Sequence, residues 1–365
     1  MPIYLGVINS SADKIILIHS AETEDSAKNI QDELLKHVGR GISCLLIKFP
    51  AVDYAEVYDS ASKLLEEHSK DNSVEVNLTG GTKVWAIAFA QLAQTYNAAI
   101  FYIDQNCTLY NCRNNEKKQL ELPSSIAEIL AYNGQHDYQR TLLDEYSSSD
   151  LDSLKEIESL RNYNAKAFNA ITTLTKDNKN TFNQPCGSYS LEGGKSSIFW
   201  DKNSGIVEIS IPSYNGLYKR QVQIQSPHAF HLATNAGWFE YKVATILKNW
   251  QSTKEVWTNV IFPYKNQLSK NEIDIILSAK GKLLFVECKT KVFDKTDIDK
   301  FASAVRNYGG MGSKAIFVSY SKMDPLVKEK CETNGIMYFS LERGHAPIKQ
   351  LYDYLESNLS NINTR

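Results

Sequence analysis

No run of eighteen or more apolar residues occurs in the chain, which excludes a membrane-spanning helix. The opening, MPIYLGVINSS, has no basic stretch leading into an apolar core and cleavage site, so no secretory leader is expected. Cysteine is sparse, six in 365 residues, and Cys107 and Cys112 are the one close pair. Without a second pair or flanking histidines they do not form a zinc module. Reduced thiols in a cytoplasmic protein are the simpler reading. Charge of one sign is missing too: 40 Lys and Arg against 42 Asp and Glu leave a formal net charge of −2. Bulk attraction to a polyanion is thereby excluded, and any such contact needs a local groove. Repeats and low-complexity tracts are absent.

What is present is enough apolar material for real cores, 42% of the chain, and a length that suits two or three domains. Residues 1–135 alternate strand and helix signals. IYLGVIN (3–9), KIILIHS (14–20), ISCLLIKF (42–49), VEVNLT (74–79) and AAIFYID (98–104) read as strands, with helical spacing at 24–38, 53–68 and 80–96. This order predicts a doubly wound, mostly parallel α/β sheet, with a polar hairpin at 107–122 on its edge. Residues 136–185 are polar and predict a helical connector. Residues 186–365 predict an α/β domain with an N-terminal β extension: antiparallel strands over 187–225, a helix at 235–250, and strands at 255–261, 272–278 and 282–289. A helix at 296–307, a strand at 314–320, a helix at 324–333 and a strand at 336–340 follow.

LLFVECKTKV (283–292) begins as a buried strand and then carries Glu287 and Lys289 on one face. Charges there are costly unless paired or bound to a metal. Asp274, in NEIDIIL, lies across a predicted hairpin from them, and Glu240 stands on the helix before it. Three converging carboxylates repel unless a cation sits among them, and oxygen donors suit Mg²⁺ or Mn²⁺. An ammonium alongside would aim a water and stabilise charge at phosphorus, which is phosphodiester hydrolysis. Glu-x-Lys alone is also what an ordinary ion pair across a strand end looks like.

NLTGGTK (77–83) sits where a parallel strand meets a helix, a place where such sheets bind ligands. Its glycines allow backbone approach, and Thr79, Thr82 and Lys83 offer donors near a helix N-terminus. The P-loop spacing is missing, so an NTPase is excluded; a tight turn with a threonine cap is the competing explanation. RNYGGMG (306–312) reads equally as a phosphate approach beside Arg306 or as a helix C-cap. His228 and His231 stand three apart before Glu240, as a cap and a surface position or as ligands.

NEIDIIL…LLFVECKTK resembles the PD-(D/E)xK restriction-endonuclease-like nuclease core over about 230–345. The resemblance implies that Asp274 and Glu287 are metal ligands with the Cys288 carbonyl, that Lys289 is the catalytic lysine, and that Glu240 is the acid of the first helix. Ile273 stands where the signature has proline. With TGGTK in a doubly wound first domain, the whole chain resembles the CARF-domain ancillary nucleases of type III CRISPR systems (the Card/Can type). That family implies a homodimer activated by a cyclic oligoadenylate, commonly cyclic tetra-adenylate, in antiviral defence. Its ligand loops would be Asn9, Ser10 and Ser11, then Asn77, Thr79, Gly80, Gly81, Thr82 and Lys83, with Asp104 and Gln105. Only SSAD separates the first two strand signals, where the family has a longer loop and helix. The expected protein is a Mg²⁺- or Mn²⁺-dependent endonuclease acting on single-stranded RNA or DNA or nicked duplex. A repair or restriction nuclease without activator and a catalytically inactive nucleotide sensor are the rivals.

Overall fold

The computed structural model describes residues 2–37, 41–104, 107–120, 125–173, 178–191, 193–263, 270–290, 295–310, 312–341 and 348–360. The N-terminal half is mixed α/β. Strand Lys14–His19 pairs in parallel with Ser43–Lys48, and Glu75–Asn77 pairs in parallel with Ala99–Ile103. The expected hairpin, Thr108–Asn111 and Lys117–Gln119, extends the second pair antiparallel. Parallel pairing requires crossovers, and helices Glu24–His37, Tyr54–Ser69 and Lys83–Thr95 lie between the strands in sequence. The last two pack Val57, Ala61 and Leu65 against Trp85, Phe89 and Leu92.

One expectation is overturned. Residues 3–9 do not form a strand: Pro2–Ile8 is a helix. It sits between the two small sheets, with Tyr4 packed among Ile15, Leu17 and Leu34 and Leu5 among Ile103, Cys107 and Leu120. An element apolar on all sides has neither a two-residue nor a 3.6-residue stripe, so seven such residues do not declare which they form.

The C-terminal half is built on a six-stranded mixed sheet. Across it run Met337–Ser340, Lys314–Ser319, Lys282–Lys289, Lys270–Ala279, Thr253–Pro263 and Gln139–Leu142. Lys282–Lys289 is covered on both faces. Leu283 and Phe285 enter one core with helix Lys295–Gly309, while Leu284, Val286 and Cys288 enter another with helices Gly237–Lys248 and Ile348–Ser360. This double burial is why its sequence reads as unbroken apolar residues. A separate four-stranded antiparallel sheet, residues 186–225, contributes Trp200, Val207, Ile209 and Ile211 to the second core.

The 136–185 segment does not stand apart as a connector. Gln139–Leu142 is the edge strand of the large sheet, and Leu154, Ile157, Leu160, Phe168 and Ile171 lie in the second core. Helix Ile126–Tyr132 joins the halves. Its Ile126, Ile129 and Leu130 pack on the large sheet, and the Ile126 N–H donates to Glu255 Oε2 at 2.6 Å. Tyr132 turns the other way, its ring 4.0 Å from that of Tyr4 and its hydroxyl bonded to Glu128. Asn133 Nδ2 donates to the carbonyl of Gly309 at 3.0 Å. No helix among the described residues is long and apolar enough to cross a membrane.

Candidate active site

The hairpin carrying the acidic residues is fixed by its turn. Lys280 and Gly281 both have positive φ, 52° and 69°, in a two-residue connection of the kind that matches strand twist. Pairing runs from Ala279 opposite Lys282 to Ile275 opposite Val286. One step further, Asp274 comes opposite Glu287, and Asp274 Oδ2 accepts from the Cys288 N–H at 2.6 Å. Lys289 Nζ donates to Glu287 Oε1 at 2.5 Å. Glu240 lies in the first turn of Gly237–Lys248, its Oε2 3.7 Å from His231 Nε2.

These groups share one electrostatic environment. Burial first, then Asp274, Glu272 and Glu287, holds the Glu240 carboxyl well above the usual carboxylate range. Burial and then Asp274 push Glu287 up to about 7, with Lys289 pulling the other way. Burial works against the charge of Lys289, but Glu287 and Asp274 outweigh it and keep the ammonium protonated beyond its ordinary value. The structure thus brings Glu240, Asp274, Glu287 and Lys289 together.

Their donor chemistry fits a hard divalent cation: carboxylate oxygens crowded enough to retain protons in its absence, which a cation would replace. Among the described residues no three His, Cys, Asp or Glu side chains already converge as a ligand set. One oxygen of Asp274 accepts the Cys288 N–H and one of Glu287 accepts from Lys289, and each carboxylate has a second oxygen. The Cys288 thiol is buried in the core and held above its usual value by that burial, then by Asp274.

The histidines are not merely a cap and a surface position. His228 does stand at the start of a short helix but makes no cap bond there. Its Nδ1 lies 3.2 Å from Oδ2 of the wholly buried Asp150, whose Oδ1 accepts the His228 N–H. Burial alone would raise Asp150; donors from Ser147, Ser226 and His228 outweigh it and lower it. His231 flanks Glu240, and burial, then His228, pushes its imidazole down to about 4. It is therefore neutral at pH 7.

In the N-terminal half, loop 77–83 is a structured turn. The Thr79 N–H donates to Asn77 Oδ1 at 2.9 Å, and Thr79 Oγ1 accepts the Ile103 N–H at 2.7 Å. Thr82 caps helix Lys83–Thr95 by accepting the Trp85 N–H, and Lys83 is exposed. Gly80 lies against Ile3, and Gly6 against the Asn77 amide, so helix Pro2–Ile8 runs along this loop. Asn9 and Ser10 follow this helix and bond back to the Leu5 and Val7 carbonyls. Ser11 is exposed. Asp104 closes the next hairpin, accepting from the Thr108 N–H and the Tyr110 hydroxyl; Gln105 lies outside the described residues. Gly310, at φ +68° after helix Lys295–Gly309, lies against Asn133, which is the C-cap reading of RNYGGMG, and Arg306 is exposed; Met311 lies outside the described residues.

Gly81 has φ +82°, and a Cβ there would meet the Trp85 ring at 2.5 Å. Gly81→Ala is expected to destabilise the N-terminal half by about 1–3 kcal/mol, read by urea unfolding. An unchanged midpoint would remove the argument that this backbone needs glycine.

Residues 6–129 match the family described as the Card1 CARF domain, and residues 228–339 match the Card1-like endonuclease domain. No curated protein matches the chain. Two solved structures share its fold along nearly the whole length. Can2 from Sulfobacillus thermosulfidooxidans, solved with cyclic tetra-adenylate, has a TM-score of 0.70 at 19% identity, over 99% of this chain and 96% of that one. Protein VC1899 from Vibrio cholerae has a TM-score of 0.73 at 17% identity, over the same shares. With both domains present in this order, the chain belongs to the Card1-like family of CARF-domain endonucleases.

Proposed function

We propose that this chain is a cyclic oligoadenylate-activated, metal-dependent endonuclease. It works as a cytoplasmic homodimer in antiviral defence and hydrolyses phosphodiester bonds of RNA, DNA or both. The observation that carries this reading is the half-buried, electrostatically coupled set of Glu240, Asp274, Glu287 and Lys289 in an endonuclease-family domain. Glu240, Asp274, Glu287 and the Cys288 carbonyl would hold Mg²⁺ or Mn²⁺. When bound, the ion supplies positive charge to the phosphoryl group and eases deprotonation of the attacking water. Lys289 Nζ, charged and anchored at Glu287, donates to the water or to a phosphoryl oxygen as negative charge grows there.

The activator site draws support from the CARF-family match and from Can2, which was solved with cyclic tetra-adenylate. Asn77, Thr79, Gly80, Gly81, Thr82 and Lys83 would form its main wall, with Asn9, Ser10, Ser11, Asp104 and Gln105 as further contacts. A two-fold ring suits a two-fold dimer, since each protomer meets an equivalent half. Activation requires the ligand to favour the active arrangement. Helix Ile126–Tyr132 is the physical route: at its C-terminal end Tyr132 touches Tyr4 and the adjoining Asn133 bonds to Gly309, and at its N-terminal end Ile126 bonds to Glu255.

Asn133→Ala deletes the bond to Gly309 and is expected to cost about 1 kcal/mol of stability. Stimulation by activator should fall about tenfold, with activator affinity retained. Calorimetric binding and cleavage rates measured side by side check this; full stimulation would exclude that route. The whole reading is tested by incubating the protein with labelled RNA, single-stranded DNA and plasmid, with and without each cyclic oligoadenylate, in Mg²⁺ or Mn²⁺. Cleavage indifferent to every activator would favour a repair or restriction enzyme. No cleavage in any condition would favour a nucleotide sensor.

A further inference from the structure

Arg161, on helix Ser148–Tyr163, is 7% exposed, yet no acidic side chain among the described residues pairs with it. Its Nε is sealed from solvent without a hydrogen-bond partner, and among the described residues no acceptor bonds to either terminal nitrogen. The guanidinium lies between two aromatic rings, Cζ 3.9 Å from the centre of Tyr320 and 5.0 Å from that of Trp238. Ring faces offset part of the charge, but they leave the Nε–H without an acceptor and the terminal nitrogens, which solvent still reaches, without a counter-ion. A buried cation without an anion is rare unless something outside the fold supplies one.

Its position says what. The Tyr320 N–H donates to the Lys289 carbonyl at 2.8 Å, and Trp238 stands two residues before Glu240 in the same first helical turn. The backbone that carries the aromatic clamp thus adjoins the segments that carry Lys289 and Glu240. The anion expected beside a phosphodiester-cleaving centre is another phosphodiester of the same strand. A planar fork held rigid by stacking is suited to two phosphate oxygens.

We infer that Arg161 forms a phosphodiester-binding subsite beside the candidate nuclease centre and holds the substrate strand in place. This rests on the nuclease reading. Arg161 is a positioning residue, and its effect falls on substrate binding.

The test uses full-length Glu287→Ala protein, which does not consume substrate, with saturating cyclic tetra-adenylate. Fluorescence anisotropy follows binding of labelled oligothymidylate and oligouridylate, about 20 nucleotides each, over a range of salt. Adding Arg161→Met is expected to weaken binding about tenfold and to reduce the slope of log affinity against log salt by about 0.7, one phosphate contact on a single strand. Arg161→Lys should keep the slope and lose part of the affinity, since charge remains and the fork does not. The Met variant should melt no lower than its parent, because an uncompensated buried charge has been removed; a merely structural arginine gives lower melting with unchanged slope. If the Met variant does not fold, Arg161→Gln reads the same slope. Equal affinity and slope with and without Arg161 overturn the assignment alone. A parent that binds neither oligonucleotide, and a wild type that cleaves nothing, overturn the nuclease reading and Arg161 with it.

Discussion

Glu287→Gln is expected to lower cleavage by at least about a thousandfold and, in metal-free protein, to raise the melting temperature. Loss of activity follows from removing a carboxylate from the cation site. The gain in stability follows from the state of that carboxylate when no cation is present: burial and Asp274 push it up to about 7. Between the ordinary glutamate value of 4.5 and that figure, the folded chain binds a proton that the unfolded chain has released. Stability of the metal-free protein therefore falls as pH rises through this window and is unaffected by Glu287 below it. Above pH 7 the penalty is on the order of 3 kcal/mol. Melts in EDTA at pH 5 and pH 8 should show the wild type losing several degrees at the higher pH and the glutamine variant losing less. Mn²⁺ added at pH 8 should restore the wild type and leave the variant little changed. A variant that cleaves normally, or melts below wild type in EDTA at pH 8, contradicts the assignment.

Lys289→Met should also abolish most activity, by about a hundredfold to a thousandfold, but with the opposite effect on stability. The ammonium is the positive partner that Glu287 and Asp274 face in the metal-free site. Without it the acids repel one another unopposed and Glu287 titrates higher still. Because the lysine is partly exposed, the cost is about 1–3 kcal/mol, less than for a fully buried pair. The loss should be largest at pH 8 in EDTA and shrink towards pH 5, as the acids take up protons. Activator binding should be unaltered, since the change lies in the other half of the chain. Calorimetry and melts on the two variants together form a sign test. If both shift in the same direction, the charge arrangement described for the site is wrong.

The hairpin of Asp274 and Glu287 was legible because its turn, its apolar lead-in and its charges agree, and the observed register brings those residues into one place. The loop after Glu75–Asn77 was legible for the same reason, as strand, glycines and helix follow in order. Other parts carried no local signal. Pro2–Ile8 is apolar throughout, so strand and helix were indistinguishable. Gln139–Leu142 has no alternation, and its strand exists only because Thr253–Pro263 offers a free edge. Helix Ile348–Ser360 did show a stripe, Leu351, Leu355 and Leu359, four residues apart and buried. Glu272, two before Asp274, was readable by the same spacing that marked Glu287 and Lys289. Arg161 and Asp150 were not: each is one charge in a polar helix, and only tertiary packing shows that it faces inward.

The bridge between the halves has a consequence for the chain as it leaves the ribosome. Ile126 finds its partner at Glu255, 129 positions later, and Asn133 finds its own at Gly309, 176 positions later. At ordinary synthesis speeds those waits span roughly 6–35 s. Meanwhile Ile126, Ile129 and Leu130, all buried in the finished protein, have nothing to cover them. The nascent first half thus travels with an oily helix trailing behind it. Translation that stalls before the 270–289 hairpin emerges should leave a product that chaperones hold rather than a free ligand-sensing domain.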